Sequence, residues 1–250
     1  NDEPDTRNAD STNWIDVADT TWYNESDTEF TIDTAKKLAG LAKLVNEGND
    51  FSKKTIKLGE NIDLDGKEWT PIGKSGKPFK GTFDGMEYTI SNMTITRGFS
   101  NTVANSCVGL FGLTNSPAVI KNVHFVNVDI QGSLYVGTVV GYGFTGSQIS
   151  NCHVSGRIEI DGWWYIGGIG GNGYVNTIDN CSVVGDEDSY IKGNDGSYVG
   201  GIWGYRGEGK QTISACTVDN LAISGVDRVG GISGIAHYQN TIQNCAIANS

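Results

Sequence analysis

Aromatic residues recur at one position of this 250-residue sequence and could support recognition of a sugar or a protein. The residues that open four successive glycine-rich blocks are Tyr135, Tyr165, Tyr198 and Arg228. Trp163 and Trp164 come directly before the second of these tyrosines. Stacked rings that end in a cation suit a cation–π contact, and amphipathic rings are favoured at binding surfaces. A tyrosine stack also stabilises a sheet by cross-strand packing, so a structural and a ligand-binding role both remain open.

Two carboxylates could do acid–base chemistry. Asp129 in VDI and Glu159 in IEI lie one repeat apart in the sequence. On adjacent coils they would approach the separation of roughly 5 Å that a retaining glycosidase uses. The next repeats offer no third acid at this position, so two solvated outward residues are the favoured interpretation. The sequence therefore assigns no catalytic residue.

Residues that could ligate a metal are sparse. The three histidines are His124, His153 and His237, and no HExxH motif occurs. His124 and His153 lie one repeat apart, but Ser182 and Thr217 at the same position indicate an ordinary outward site. An acidic insertion at 185–196 offers the oxygen ligands that a hard cation prefers, namely Asp186, Glu187, Asp188 and Asp195. The sequence predicts no cofactor, and calcium at this insertion is the alternative to a solvated loop.

Composition excludes several classes of partner. Asp and Glu number 29 against 18 Lys and Arg, and the net charge of −11 would repel nucleic acid and anionic membrane surfaces. No run of 18 apolar residues occurs, and the acidic first twenty residues lack the features of a signal peptide. We therefore expect no membrane insertion, and the acidic start would suit a mature secreted protein whose signal has been removed.

Internal repeats organise most of the chain. A glycine block recurs as CVGLFG, YVGTVVG, YIGGIGG, YVGGIWG and RVGGISG, whose last glycines are 29, 30, 33 and 30 residues apart. A second block recurs as IKNV, ISNC, IDNC, ISAC and IQNC, and ISNM at Ile90 adds a sixth copy. Two blocks that keep one period across more than 150 residues indicate stacked structural units.

The period predicts a right-handed parallel β-helix. Each repeat contains short β-branched stretches between glycine and polar turns, which favour strands of four to six residues. About three such strands fill a coil near thirty residues, and coils must stack because one coil cannot bury its own apolar face. A β-propeller is less favoured, because its blades need four antiparallel strands and about forty residues.

Two positions of the second block predict ladders along the stack. Met93, Val123 and the cysteines at 152, 181, 216 and 245 share one position, which indicates small buried hydrophobes. A disulfide or reactive thiol stack is the alternative. The preceding position holds asparagine in five of six copies and predicts an amide ladder at a left-handed turn.

The N-terminal region has a different period. Residues 34–46 place Ala35, Leu38, Leu41, Ala42 and Val45 on one stripe, which predicts an amphipathic helix that covers the first coil. We divide the chain into an acidic leader (1–28) that packs back through two tryptophans, the capping helix with the first coils (29–98) and the repeats (99–250). All three belong to one structural domain.

Three features occur in combination and resemble a known family. They are FTIDTAKKLAGLAKLVN, FKGTFDGMEYTISNMTI and the GLFG block with its VGGIxG relatives. Together they resemble the GLUG-repeat β-helix proteins of bacterial cell surfaces over about residues 30–250. The resemblance implies a secreted or wall-attached module, often one segment of a large adhesin-like protein. It also extends to a region beside the catalytic domain of immunoglobulin A-cleaving metallopeptidases, but this chain has no HExxH.

We expect a non-catalytic extracellular module that serves adhesion, surface presentation or spacing within a longer bacterial surface protein. Its partner would be a host or matrix protein or a glycan. The alternative is a carbohydrate-binding module that uses the aromatic ladder, and a polysaccharide lyase or hydrolase is less favoured. The last coil stops at IQNCAIANS without a cap, so we expect the native chain to continue, or the free edge to cause weak self-association.

Overall fold

The computed structural model describes residues 13–98, 106–195, 197–207, 209–237 and 239–249. Within these ranges the chain is nearly all β, and parallel strands stack into a solenoid of about 7 turns with one α-helix. The predicted parallel β-helix is therefore confirmed. No helix in the described ranges is long and apolar enough to cross a membrane.

The strands form three parallel sheets along the solenoid. In chain order they are β1 (Glu29–Ile32), β2 (Thr55–Leu58), β3 (Ile62–Asp63), β4 (Thr82–Asp84), β5 (Thr89–Thr96), β6 (Cys107–Val108), β7 (Phe111–Thr114), β8 (Val119–Gln131), β9 (Tyr135–Val136), β10 (Val140–Gly143), β11 (Gln148–Gly162), β12 (Tyr165–Gly167), β13 (Gly170–Gly173), β14 (Thr177–Asp179), β15 (Ser182–Gly185), β16 (Tyr190–Gly193), β17 (Tyr198–Gly200), β18 (Trp203–Arg206), β19 (Thr212–Ser214), β20 (Thr217–Asp219), β21 (Ala222–Ser224), β22 (Arg228–Gly230), β23 (Ser233–Ala236), β24 (Thr241–Gln243) and β25 (Ala246–Ala248). We call β6, β9, β12, β17 and β22 the tyrosine sheet, and β7, β10, β13, β18 and β23 the glycine sheet. The other fifteen strands form the main sheet.

A coil contains more extended segments than the three strands that the period predicts. The left-handed residues Asn122 (φ 55°) and Asn127 (φ 57°) divide β8 into three straight segments, and β9 and β10 complete that coil. One residue with positive φ turns a corner without a loop, so the same thirty residues hold five short segments. Asparagine suits these corners because its short polar side chain tolerates the left-handed region.

The predicted amide ladder is present, but it is split between two corners. At one corner, Asn180 Nδ2 donates to Asn151 Oδ1 at 2.8 Å, and Asn151 Nδ2 donates to Asn122 Oδ1 at 2.9 Å. Asp84 Oδ1 accepts from Asn122 Nδ2 at 3.0 Å and ends this ladder. Asn92 was expected here and instead lies at the second corner, where it accepts from Asn127 Nδ2 at 3.3 Å.

The same shift moves Met93 out of the cysteine ladder. Met93 pairs with Val128, whereas Val123 pairs with Cys152. The repeat at Ile90 therefore resembles the second block in sequence but occupies the next segment of its coil. Its strand pairs with the second half of β8, because β4 already occupies the place beside Ile120.

The five cysteines are free, as the favoured interpretation predicts. Cys152, Cys181 and Cys216 are buried, and each thiol donates to the carbonyl oxygen two residues before it, at 3.2 to 3.4 Å. Burial raises the pKa of the Cys181 thiol. The Cys181 thiol therefore stays protonated. The three buried side chains act as small core groups.

The helix α1 (Ala35–Glu47) caps the first coils as predicted. Thr34 Oγ1 accepts from the Lys37 amide at 3.3 Å, and Gly48 (φ 124°) ends the helix. Leu38, Leu41, Ala42 and Val45 of the predicted stripe are fully buried in the core. Trp14 and Trp22 also pack against this core, so residues near the N-terminus add to the cap.

The last coil is much less covered. Ile242 and Ile247 expose 42% and 51% of their surface, whereas equivalent residues of inner coils, such as Ile213 and Val218, are buried. Self-association through this edge stays a prediction, and sedimentation over a range of protein concentrations measures it.

Glycines bring the glycine sheet directly against the tyrosine sheet. A Cβ on Gly141, Gly171 or Gly204 would lie 2.4 to 2.5 Å from a backbone nitrogen of the preceding coil's tyrosine-sheet strand. For Gly171 that atom is the amide nitrogen of Val136. No side chain fits between the two backbones, which explains why the last glycine of every block recurs.

The close approach predicts a large effect for Gly171→Ala. The added methyl group would contact backbone atoms that cannot rotate away, so the free energy of unfolding should fall by about 3 kcal/mol, the upper end of the overpacking range. Urea denaturation measures the effect. Gly76→Ala is the control, because its Cβ would meet nothing within 4 Å and only its φ of 75° costs about 1 kcal/mol. Equal losses in the two variants would contradict the steric explanation.

The amide ladder predicts effects of opposite sign at two equivalent positions. Asn151→Ala removes two ladder hydrogen bonds and should lower the free energy of unfolding by roughly 1–3 kcal/mol. Ala215 interrupts the same ladder with a φ of 51°, so Ala215→Asn should raise stability by about 1 kcal/mol. Thermal and urea unfolding test both variants, and a destabilised Ala215→Asn would show that the ladder does not stabilise the corner.

Candidate functional site

A line of aromatic side chains follows the tyrosine sheet. Tyr135, Tyr165 and Tyr198 pair in register on adjacent coils. The rings of Tyr135 and Tyr165 stack with centroids 5.5 Å apart and planes 19° apart, and those of Tyr165 and Tyr198 are 5.1 Å and 25° apart. The Arg228 guanidinium lies 4.8 Å from the Tyr198 ring centroid and also donates to Asp227. The three tyrosines thus stack along the sheet and the stack ends in a cation, and ligand binding by these residues stays a prediction.

A second line of side chains follows the glycine sheet and meets the first. Tyr142 and Tyr205 occupy equivalent positions two coils apart, with Asn172 between them. The ring centroids of Tyr135 and Tyr142 lie 5.0 Å apart at 64°, and those of Tyr165 and Tyr205 lie 5.2 Å apart at 65°. These edge-to-face contacts join the two lines because glycines bring their strands together.

The two lines form one surface, which we call the aromatic face. It consists of Tyr135, Tyr142, Phe144, Trp164, Tyr165, Tyr198 and Tyr205. Phe144 and Trp164 each expose 38% of their surface, and the tyrosines are half-buried. A ligand can therefore reach ring faces and edges that the core holds in place.

Three tyrosines of the aromatic face have a raised pKa. Burial raises the pKa of Tyr135 and Tyr165, and neighbouring titratable groups add to the effect. The pKa of Tyr142 reaches about 12, mainly through burial and also through Tyr174 and Tyr135. The hydroxyl groups of these three tyrosines are therefore neutral and can both donate and accept hydrogen bonds.

A cleft of about 790 Å³ opens where the aromatic face meets the first coils. Tyr135, Tyr142 and Phe144 form an aromatic wall, and Lys74 and Arg97 lie at its polar side. This volume falls within the range of roughly 300–1,000 Å³ that is usual for small-molecule sites. Neither Lys74 nor Arg97 belongs to a repeat block, so the sequence pattern did not single them out.

The predicted tryptophans differ in their surroundings. Trp164 is exposed, and its ring lies 6.0 Å from that of Tyr165. Trp163 is half-buried, and its amide donates to the carbonyl of Ser133 at 2.9 Å. Sequence analysis missed Tyr142, although it follows the last glycine of its block as Tyr205 does, and this shared offset could have identified it.

The carboxylates Asp129 and Glu159 lie side by side on another part of the solenoid. They pair in register, with Thr94 beside Asp129 and Tyr190 beside Glu159. Arg157 Nε donates to Glu159 Oε1 at 2.8 Å, which keeps this carboxylate in an ion pair. The pair borders a shallow hollow of about 270 Å³.

A third carboxylate, that of Glu68, belongs to the same row of paired residues, with Thr94 between it and Asp129. Glu68 pairs with Thr94, and its oxygens accept from the Thr96 amide at 3.0 and 3.2 Å. Burial raises the pKa of Glu68, with a contribution from Asp129, although the Thr96 amide and Arg97 oppose it. Sequence analysis missed Glu68 because the first coils lack the repeat blocks.

Two of the histidines are neighbours. His124 and His153 pair in register with ring centroids 5.1 Å apart. His124 Nε2 lies 2.9 Å from Glu87 Oε2, and His153 Nδ1 lies 2.8 Å from Ser182 Oγ. Burial lowers the pKa of His153, and His124 lowers it further. His237 is elsewhere, 2.9 Å from the Tyr205 hydroxyl.

The acidic insertion forms its own turn. Asp186 Oδ1 accepts from Ser189 Oγ at 2.7 Å and from the Asp188 amide at 3.2 Å. Glu187, Asp188 and Asp195 are exposed. Across the described ranges, no group of three or more His, Cys, Asp or Glu side chains is placed to hold a metal ion. Calcium binding at this turn stays a hypothesis.

Two much longer proteins each match about half of this chain in sequence. Halomucin of Haloquadratum walsbyi is 31% identical over 139 residues, which are 51% of this chain and 1% of halomucin. A "Putative Gly-rich membrane protein" of Evansella cellulosilytica is 28% identical over 116 residues, 45% of this chain and 13% of that protein. The chain thus spans a small part of either relative.

The solenoid itself resembles a solved structure. The crystal structure of a "putative immunoglobulin A1 protease" from Bacteroides ovatus matches 93% of this chain and 80% of its own, with a TM-score of 0.64 and 21% identity. At this identity the likeness shows the fold alone. The chain matches no protein-family model, so the resemblance to GLUG-repeat proteins rests on the motifs.

Proposed function

We propose that this chain is a non-catalytic module of a longer surface protein and that its aromatic face serves adhesion. The observation that carries this proposal is a set of half-buried and exposed rings that the parallel strands of the solenoid hold in register. Such rings lose little conformational entropy on binding, which favours recognition. The same rigid solenoid would present or space other parts of a longer protein.

The similar proteins support a surface location for this module. One relative is named a membrane protein, and this chain corresponds to 13% of it. A module of a longer protein can be displayed outside the cell without a membrane helix of its own. We therefore propose a secreted or cell-surface location, with a host or matrix protein or a glycan as the partner.

Carbohydrate binding is the second candidate, and the stacked tyrosines favour it. Sugar rings carry an apolar C–H face that packs on an aromatic ring, and their hydroxyl groups need nearby donors and acceptors. The aromatic face supplies both through its rings and neutral hydroxyl groups. A protein ligand would use the same rings, so binding experiments must separate the two classes.

Removal of rings from the aromatic face tests both candidates. Wild type should bind glycans or matrix proteins on arrays, and Trp164→Ala or Tyr198→Ala should weaken binding about tenfold, equivalent to about 1.4 kcal/mol. Tyr190→Ala is the matched control, because it lies beside Glu159 and the next coil already carries alanine at Ala222. No wild-type signal on either array, or equal loss in the control, would contradict the role of the aromatic face.

The absence of catalysis is tested separately. The purified chain should not turn over polysaccharides or peptides. Turnover that Asp129→Asn abolishes would instead support the lyase or hydrolase hypothesis for Asp129 and Glu159, and it would contradict the non-catalytic proposal.

A further inference from the structure

We infer that the cleft at the end of the aromatic face binds an acidic oligosaccharide, one that carries carboxylate or sulfate groups. This inference rests on the proposed carbohydrate-binding function and specifies its ligand class. The inference requires a cleft that accepts sugar rings, carries positive charge and has no Asp or Glu among the residues described as lining it.

The cleft has walls that suit sugar rings. Tyr135 and Tyr142 meet edge to face, and Phe144 meets Tyr142 in the same way, with centroids 4.9 Å apart. Each of these two pairs has its ring planes 64° apart, so the aromatic wall combines rings of different orientation. Leu113 and Leu134 add apolar surface beside them. An oligosaccharide can therefore pack C–H groups on more than one wall.

The charged side chains described as lining the cleft are both cations. Lys74 and Arg97 line the cleft, and none of the described lining residues is Asp or Glu. The Lys74 ammonium has no hydrogen-bond or ion-pair partner among the described residues. Arg97 Nη1 is 3.7 Å from Glu68, the longest ion pair in the described structure. In a chain of net charge −11, two such cations point to an anionic ligand.

The other titratable groups of the cleft remain neutral. Burial raises the pKa of the Cys107 thiol to about 12, and the pKa of Tyr142 is also about 12. Neither group becomes an anion at neutral pH, so neither repels a carboxylate or sulfate. Charge-assisted hydrogen bonds from lysine or arginine to such groups are roughly twice as strong as neutral ones.

Calorimetric titration of the whole chain with three tetrasaccharides tests the inference. The probes are a galacturonic acid tetrasaccharide, a sulfated chondroitin tetrasaccharide and neutral cellotetraose. At least one acidic probe should bind tenfold or more tightly than the neutral one. Lys74→Gln and Arg97→Gln should each weaken that binding about tenfold and leave cellotetraose unchanged. Lys210→Gln is the control, because Lys210 is an exposed lysine outside the cleft.

The outcomes distinguish the inference from the proposed function. Equal affinity for acidic and neutral probes, with no effect of Lys74→Gln, would overturn the charge inference and leave sugar binding intact. No binding of any probe would overturn the carbohydrate function as well.

A further variant tests the aromatic wall: Tyr142→Ala should weaken the binding of all three sugars. If it has no effect and a short polyphosphate binds as tightly, the attraction is electrostatic only and the inference fails. Selective binding of either acidic probe supports it and identifies the anion.

Discussion

The contact between two backbones of adjacent coils controls much of this structure. Where the glycine sheet crosses the tyrosine sheet, a Cβ on Gly171 would lie 2.4 Å from the Val136 nitrogen. Only glycine permits that approach, and without it the two sheets would have to separate by the width of a side chain. Gly204 approaches Ile166 in the same way, and its neighbour Tyr205 meets Tyr165 of the preceding coil edge to face. A packing requirement of the solenoid thus creates the aromatic face.

Because the coils stack in parallel, residues at equivalent positions form rows along the long axis of the solenoid. An asparagine at a corner adds a hydrogen bond to the asparagine below it, and a tyrosine on a strand adds a ring to a stack. The individual contributions are small, but every inner coil receives them from two neighbours. The ends receive them from one, which is why α1 covers the first coils, whereas Ile247 in the last coil is half exposed.

The carboxylates discussed above and the rings of the aromatic face lie on different sides of the coil. Asp129, Glu159 and Glu68 lie on the main sheet or beside it, whereas the tyrosines lie on the other two sheets. The described residues that line the cleft include no carboxylate, although the protein is strongly acidic and Glu68 lies 3.7 Å from Arg97 of the cleft. The aromatic face can therefore attract an anion that the rest of the surface would repel.

Sequence by itself determined the features that depend on one position repeated every thirty residues. The solenoid, the buried thiols and the register of Tyr135, Tyr165 and Tyr198 follow from the repeat, because residues one period apart must stack. The capping helix follows instead from the helical spacing of its own apolar residues. The same reasoning failed in the first coils, where Asn92 and Met93 match the second block in sequence but occupy the next segment.

Tertiary structure alone decided how different sides of the coil meet. The contact of Tyr142 with Tyr135 depends on corner angles and on the distance between two sheets, and residue spacing records neither. The cleft unites Lys74 and Arg97 from the first coils with Tyr142 from a later coil. No period relates these residues, so only the folded chain could place two cations beside the aromatic wall.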